Sequence, residues 1–402
     1  MSRKIKYTLL LVVLCIIAIV IYRSFEHKKI AHNSLENEDH INVFIDSMTI
    51  EEKIGQLIFA GIDGTTMTHE TRQLIHDYKV GGIILFANNM TSHKQTIELL
   101  QQIKNANEQN KLPLFLGVDQ EGGRVERLSE EIKKLPAAMR VGEQDNPDVS
   151  FEFGKLLSQQ VKLYGFNLNF APVLDINSNP NNPVIGERSF GNTAEMVSQH
   201  GIKVMEGIQS KNIIPVIKHF PGHGDTDTDS HFELPQVDKN LPELESQELI
   251  PFKRAIEAGA DMIMTAHILL PHIDPDYPAT ISKKVIHDLL REKLNFTGVI
   301  ITDDMTMQGL TDHFEIGQAA VQSIQAGSDI ILVAHEYETI FSVYDALKTA
   351  IENDEINEDR LDESLERIIK LKEDYQLGLE VESKIQMESL NQSIEGFLKN
   401  NN

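Results

Sequence analysis

The sequence predicts an α/β protein that folds as a (β/α)8 barrel, and three observations support this fold class. Eight short apolar runs alternate with longer stretches of helical periodicity over roughly 300 residues, about the size of such a barrel. Near-continuous apolar strands that alternate with helices are typical of a parallel sheet covered on both faces. Polar residues also stand at the ends of five of these runs. A doubly wound open sheet is the alternative architecture.

The order of elements follows from these runs. The predicted strands are Gly55–Gly61, Gly81–Phe86, Leu114–Asp119, Gly165–Asp175, Ile213–His219, Asp261–His267, Gly298–Asp303 and Asp329–His335. The helical stretches between them include Lys94–Asn107, Asp148–Leu163, Met196–Gln209, Glu243–Glu257, Ile286–Leu294 and Ile316–Gln325. A last amphipathic helix is predicted over Ile356–Gly378. We therefore expect one barrel domain over residues 41–378, followed by a polar tail over residues 379–402.

The first 25 residues have the features of a signal anchor, and a polar stalk over residues 26–40 follows them. Arg3, Lys4 and Lys6 precede an uncharged run over residues 7–22. That run is shorter than the roughly 20 residues that span a bilayer comfortably and longer than the core of about 7–15 residues of a cleavable signal. We expect a single-pass anchor in the cell membrane with the following domain outside the cytoplasm. A cleaved signal peptide and a buried helix are the alternatives.

Composition limits the possible partners. An apolar content of 41% is enough for a hydrophobic core. The 61 acidic and 37 basic residues give a net charge of −24, which repels phosphate backbones and argues against a nucleic-acid partner. The single cysteine, Cys15, excludes an intrachain disulfide and a thiolate metal cage within these 402 residues. We expect a monomer.

Charged residues and histidines recur where predicted strands end. They are Asp119, Asp175, Lys218, His219, His267, Asp303 and Asp304. The carboxyl ends of the strands in a parallel barrel converge on one face, where active sites are built. The pattern therefore predicts an enzyme.

The loop after the fifth predicted strand carries a candidate acid/base pair. Asp229 and His231 stand two residues apart, so both side chains can point the same way and the carboxylate can orient the imidazole. A solvated polar loop is the alternative interpretation. A metal site from His219, His223, Asp225 and His231 is a further alternative, but neither the HExxH pattern nor the calcium-loop spacing is present.

Two carboxylates at strand ends have candidate roles. Asp303 directly follows a β-branched strand and is rigidly placed, as a nucleophile must be, whereas Asp304 is expected to cap a helix or support its neighbour. Asp119 ends another strand and can accept hydrogen bonds from two sugar hydroxyls. The alternative is that Asp119 pairs only with Arg124 or Arg127.

Four segments resemble motifs of glycoside hydrolase family 3, in its β-N-acetylhexosaminidase (NagZ-type) branch. They are Asp119–Arg127 (DQEGGRVER), Ile185–Phe190 (IGERSF), Lys218–His231 (KHFPGHGDTDTDSH) and Leu289–Thr306 (LLREKLNFTGVIITDDMT). The resemblance extends from about Ile41 to Gly378. It implies a TIM-barrel catalytic domain.

The resemblance also implies an activity and a set of site residues. The activity is removal of terminal β-linked N-acetylglucosamine from peptidoglycan fragments (muropeptides), with retention and without a cofactor. The implied residues are Asp303 as nucleophile, His231 as acid/base, Asp229 as its partner, and Asp119, Arg127, Arg188, Lys218 and His219 as sugar-binding groups. A β-N-acetylglucosaminide phosphorylase, a metal-dependent hydrolase and a non-catalytic wall-binding protein are the alternatives.

Overall fold

The computed structural model describes residues 40–226, 234–379 and 385–401. The chain divides into a small unit over residues 1–48, in which residues 40–46 are helical, and a large unit over residues 49–402. The predicted anchor lies outside the described residues, as does the predicted stalk except for His40. Within the described ranges, no helix is both long enough and apolar enough to cross a bilayer.

The strands fall where the apolar runs predict them. Over the described residues, eight parallel strands form one sheet, and a separate antiparallel hairpin of β4 and β5 follows β3. The strands are β1 (Ile58–Gly61), β2 (Gly82–Leu85), β3 (Phe115–Val118), β4 (Gln120–Gly122), β5 (Val125–Glu126), β6 (Leu168–Asn169), β7 (Ile214–Phe220), β8 (Met262–Thr265), β9 (Val299–Thr302) and β10 (Ile331–Val333). Each strand of the large sheet overlaps one of the eight predicted runs.

The helices connect these strands and cover the sheet. They are α1 (Ile50–Gln56), α2 (His69–His76), α3 (His93–Ala106), α4 (Ala138–Gly142), α5 (Pro147–Tyr164), α6 (Ala194–Gln209), α7 (Leu241–Ser246), α8 (Leu249–Glu257), α9 (Lys284–Lys293, with π-type hydrogen bonds), α10 (Gln308–Thr311), α11 (Ile316–Ala326), α12 (Tyr337–Glu352), α13 (Glu358–Asp374) and α14 (Met387–Asn400). The single helix predicted over Glu243–Glu257 is wrong, because the backbone of Gln247 leaves the helical region (φ −143°, ψ −79°) and separates α7 from α8.

Helix boundaries follow local chemistry, as α5 illustrates. Its cap Asn146 accepts a hydrogen bond from the N–H of Asp148, and Pro147 occupies the first turn, where a missing N–H costs nothing. The helix ends at Gly165, whose φ of +95° is a left-handed conformation that glycine adopts without steric cost. These signals place α5 over the stretch predicted from its apolar period.

The sheet closes into a nearly complete barrel. Its strand order is β10-β1-β2-β3-β6-β7-β8-β9, with every pairing parallel. The two edge strands meet at a bridge between Ile301 and Ile330, where the N–H of Thr302 donates to the Ile330 carbonyl over 3.0 Å. The sheet therefore does not form the open doubly wound alternative.

Aromatic side chains fill part of the barrel interior. The ring centroid of Phe59 lies 6.3 Å from that of Phe115 and 5.4 Å from that of Phe170, and all three side chains are buried. Gly117 allows this packing, because a Cβ atom at that position would lie 2.7 Å from Phe170 and 2.9 Å from Phe59. Glycine at position 117 of β3 thus leaves room for the rings of Phe59 and Phe170.

A buried carboxylate joins the edge strands at the amino-terminal end of the barrel. Asp329, directly before β10, accepts a hydrogen bond from the N–H of Ile300 on β9 over 2.8 Å. Arg291 and Arg367 reach its oxygens at 2.5 and 3.0 Å. Burial opposes ionisation of Asp329, but the positive charges of Arg291, Arg367 and Arg360 outweigh it and lower the pKa of the carboxyl.

We predict that Asp329→Asn destabilises the protein by about 3–5 kcal/mol near pH 7, because the arginines lose their buried counter-charge. The lowered pKa of Asp329 means that its contribution is fully present above its unfolded pKa of about 4 and is lost as the pH falls below that value. The deficit should therefore shrink below pH 4. Urea unfolding between pH 3.5 and 8 measures it. Asp288→Asn, which removes an exposed partner of His287, is the control. Equal stability of the two variants would contradict the prediction.

Candidate active site

A cleft of about 430 Å³ opens where the strands of the barrel end. Asp119 follows β3 directly, Lys218 and His219 lie near the end of β7, and Asp303 follows β9 directly. All four line the cleft together with Arg127 and Arg188, which come from the β4–β5 hairpin and the loop after β6. Six of the eight site residues that the sequence and the resemblance predict thus share one cavity.

Two of the polar residues at predicted strand ends, Asp175 and His267, do not line this cleft, whereas Asp304 does. Asp229 and His231 lie outside the described residues. Asp175 is fully buried beneath His219, and His267 is fully buried with its ring nitrogens 2.9 Å from Thr280 Oγ1 and from the carbonyl oxygen of Asp304. These two strand-end residues support their neighbours.

Four charged side chains form a buried cluster, the charge cluster, on one wall of the cleft: Asp119, Glu121, Arg188 and Lys218. Lys218 Nζ lies 2.6 Å from Asp119 Oδ1 and 2.7 Å from Glu121 Oε1. Arg188 binds Glu121 through two parallel hydrogen bonds of 2.8 Å, the bidentate geometry that suits a guanidinium and a carboxylate. Only 3% of the Lys218 side chain and 4% of the Glu121 side chain are exposed.

The pairing of Asp119 settles one alternative from the sequence. Asp119 pairs with Lys218, so the proposal that it pairs only with Arg124 or Arg127 is wrong. Arg124 instead donates to backbone carbonyls of the loop after β6, including those of Val184 and Ile185. It thereby ties the β4–β5 hairpin to the loop that carries Arg188.

Mutual attraction keeps the charge cluster ionised. Burial opposes the charge on Glu121, but Arg188 and Lys218 outweigh it and hold the pKa of that carboxyl well below its usual range. Burial likewise opposes the charge on Lys218, and Asp119 and Glu121 reverse this effect and raise its pKa. The shifts in pKa therefore favour the charged forms of Glu121, Lys218 and Arg188.

Beside the charge cluster, the carboxylate of Asp175 holds the ring of His219 in position. Asp175 Oδ2 lies 2.6 Å from His219 Nδ1, and Asp175 Oδ1 accepts the backbone N–H of His223 over 2.6 Å. With Nδ1 bound to Asp175, His219 Nε2 lies 3.5 Å from Arg188, at the cleft. Burial lowers the pKa of His223 to about 4, so that ring is neutral at pH 7.

The turn after β9 fixes Asp303. The N–H of Asp303 donates to the Thr265 carbonyl on β8, and its Oδ1 accepts the N–H of Asp304 over 2.8 Å. Asp304 in turn accepts hydrogen bonds from Thr306 and from the N–H of Ala334 beyond β10. Asp304 is therefore a support for the turn and not a helix cap, since α10 begins only at Gln308.

Arg127 has a donor available to a ligand. Its side chain lines the cleft, and within the described residues no acceptor contacts its buried Nε atom. A buried donor without a partner carries a desolvation cost that a bound acceptor would offset. Arg127 thus agrees with the ligand-binding role that the resemblance implies.

Described residues on both sides of the segment 227–233 make polar contacts with neighbouring parts of the chain. Before it, the side-chain amide of Asn182 donates to the carbonyls of Thr226 and His223 over 3.0 and 2.8 Å. After it, Lys239 Nζ contacts Asp225 Oδ2 at 2.8 Å and the buried Glu248 at 2.6 Å. These contacts tie Thr226 and Lys239, on the two sides of that segment, to neighbouring loops and to the start of α8.

Sequence reasoning assigned no role to Glu121, placed Asp175 only at a strand end, and named His223 only as an alternative metal ligand. For Glu121 a signal existed, because residues two apart on an extended chain face the same side, and Asp119 was already a candidate. For Asp175 and His223 the sequence pattern indicated only where they lie along the chain, at a strand end and in a loop. Their roles depend on contacts between chain segments more than 40 residues apart.

We predict that Glu121→Gln lowers the melting temperature by several degrees, because Lys218 and Arg188 lose a buried counter-charge worth about 3 kcal/mol. Differential scanning calorimetry at pH 7 measures the shift. The control is Glu187→Gln, which removes an exposed carboxylate next to Arg188 in the sequence. A melting temperature equal to that of the wild type would show that Glu121 does not balance these cations.

Comparisons with known proteins agree with this geometry. The model of the glycosyl hydrolase family 3 N-terminal domain matches residues 49–371. A beta-N-acetylglucosaminidase of this family from Paenibacillus sp. str. FPU-7 is similar in structure, with a TM-score of 0.83 and 38% identity over 87% of this chain and 68% of that one.

Two curated relatives are named beta-hexosaminidases. Beta-hexosaminidase A of Pseudoalteromonas piscicida is 37% identical over 332 residues, which cover 77% of this chain and 56% of the relative. Beta-hexosaminidase of Nitrosomonas eutropha is 34% identical over 281 residues, or 68% of this chain and 79% of the relative. The chain thus spans little more than half the length of the first relative and most of the second. On the match over residues 49–371 and on these identities, the chain belongs to glycosyl hydrolase family 3.

Proposed function

We propose that this chain is a retaining exo-β-N-acetylglucosaminidase. The observation that carries the proposal is the placement of Asp303 in the same cleft as the buried charge cluster. A fixed carboxylate beside paired hydrogen-bonding groups suits attack on the anomeric carbon of a bound sugar. The relatives named beta-hexosaminidase and the Paenibacillus beta-N-acetylglucosaminidase support the choice of sugar.

In the first step, Asp303 attacks the anomeric carbon and forms a glycosyl ester. The bond from that carbon to the glycosidic oxygen breaks, and protonated His231 gives its proton to the departing oxygen. The hydrogen bond from the Asp304 N–H and the turn held by Thr306 and Ala334 favour one orientation of Asp303. Little reorganisation is then needed at the moment of attack.

In the second step, water releases the sugar. Neutral His231, oriented by Asp229, takes a proton from the water whose oxygen attacks the anomeric carbon and displaces Asp303. Two inversions give net retention. A histidine with a reference pKa of about 6.5 can serve as acid and then as base near neutral pH.

The sugar itself would bind to the charge cluster. Hydroxyl groups can donate to Asp119 and accept from Lys218, and Arg127 and Arg188 offer further donors at the cleft wall. The Nε2 atom of His219 lies at the same wall. Because the cluster pairs two cations with two carboxylates, an uncharged sugar leaves no charge uncompensated when it displaces water. The neutral character of N-acetylglucosamine fits this environment.

We further propose that the natural substrates are muropeptides and that the domain acts outside the cytoplasm, held by the anchor predicted over residues 1–25. The family branch that the four motifs resemble supports the substrate. The basic residues before the uncharged run over residues 7–22 support the anchor and its orientation. The anchor itself lies outside the described residues.

The activity and mechanism can be tested with the full chain on two aryl β-N-acetylglucosaminides, with and without EDTA. The wild type should hydrolyse both substrates regardless of EDTA. Asp303→Ala should reduce kcat/KM at least about a thousandfold for both, because the covalent step is lost. Turnover that persists in this variant would refute the nucleophile, and turnover abolished by EDTA would favour a metal-dependent hydrolase.

The two leaving groups separate the role of His231 from that of Asp303. A 2,4-dinitrophenolate departs without protonation, whereas methylumbelliferone needs an acid. His231→Ala should therefore lower kcat/KM about 10²–10⁴-fold for the methylumbelliferyl substrate and far less for the dinitrophenyl substrate. Equal losses on both would remove His231 from the acid role.

Substrate and location can be tested on spheroplasts that express the full chain. Muropeptides with a terminal β-linked N-acetylglucosamine, added outside, should lose that sugar equally fast before and after lysis. Activity that appears only after lysis would contradict an extracytoplasmic domain. Activity on aryl substrates without release from muropeptides would contradict the substrate assignment.

A further inference from the structure

Two stacked rings form part of the cleft wall, apart from the charge cluster. Phe86 directly follows β2, and His335 comes two residues after β10. Their ring centroids lie 5.2 Å apart with an interplanar angle of 26°, and both side chains line the cleft. Since β1 pairs with both β2 and β10, the two rings meet across the end of β1. We call this pair the aromatic rim.

The exposure of His335 distinguishes the aromatic rim from a packing contact. The His335 side chain is 60% exposed although it stacks on a half-buried phenylalanine. Its Nε2 atom lies 3.7 Å from Asp304 Oδ2, which is beyond a good hydrogen bond. An exposed ring gains little from burial in the folded protein, so its stacked position is available to a ligand.

The aromatic rim and the charge cluster differ in depth. The charge cluster is largely buried and offers hydrogen bonds, whereas His335 of the aromatic rim is open to solvent and offers a flat ring face. An enzyme that removes a terminal sugar holds that sugar in its buried pocket. The part of the substrate that departs then extends toward the open side.

We propose that His335, supported by the stacked Phe86 ring behind it, binds the departing part of the substrate by stacking against the face of its first sugar ring. The proposal rests on the proposed function, because it requires a sugar held at the charge cluster. One face of a β-linked pyranose ring presents several C–H groups, which pack well on aromatic rings. The aromatic rim would therefore favour substrates whose leaving group is a sugar over those whose leaving group has no ring.

The test compares two substrates with alkoxide leaving groups, using the full chain. One is the β-1,4-linked disaccharide of N-acetylglucosamine. The other is the methyl β-glycoside of a single N-acetylglucosamine, in which a methyl group replaces the second ring. His335→Ala should lower kcat/KM for the disaccharide about fivefold to tenfold more than for the methyl glycoside, mainly through KM. His335→Phe, which keeps a ring, should restore the wild-type preference.

The matched control is His287→Ala, which removes a half-exposed histidine on α9. This variant should leave kcat/KM unchanged for both substrates. Equal losses on both substrates in His335→Ala, or no rescue by His335→Phe, would overturn the aromatic rim while leaving the proposed function intact. Absence of turnover by the wild type on both substrates would overturn the proposed function, and the aromatic rim with it.

Discussion

Asp329 joins the edges of the sheet, because its carboxylate binds the backbone of β9 and its own backbone leads into β10. This closure gives Asp303, three residues beyond Ile300, a fixed place opposite the charge cluster. In the closed order of the described strands, β9 and β3 are four strands apart in both directions. Asp303 and Asp119 therefore lie on opposite sides of one barrel mouth, where a ligand can contact both. In an open sheet the same residues would be at an edge and in the interior.

The chemistry on the β3 side depends on balanced burial. Lys218 and Arg188 are tolerated away from water because Asp119 and Glu121 compensate them with short hydrogen bonds. The arrangement offers donors and acceptors in fixed directions while its formal charges sum to zero. A ligand rich in hydroxyl groups can replace water there one hydrogen bond at a time, whereas a charged ligand would disturb the balance. The packing of the charges thus suits the neutral sugar of the proposed function.

The sequence predicts the barrel well because its strands are buried on both faces and read as continuous apolar runs. The run Gly165–Asp175 is the exception, since only Leu168–Asn169 is regular strand. Pro172, which has no N–H to donate, interrupts the ladder there. Strand-end polarity also predicted Asp303 and Asp119. The link from Asp119 to Lys218 joins residues 99 apart in the chain, and no local pattern carries such a pairing.

The two regions of the cleft differ in how freely their residues can change. A substitution in the charge cluster leaves a buried partner without its counter-charge, so recognition and stability are coupled there. His335 contributes little to burial, and a change of its side chain leaves the hydrogen bond from the Ala334 N–H to Asp304 in place. If the aromatic rim contacts the departing group as proposed, its side chains can therefore change without altering the support of Asp303. In the proposed mechanism, the barrel thus separates the residues that hold the reacting sugar from those that contact what is attached to it.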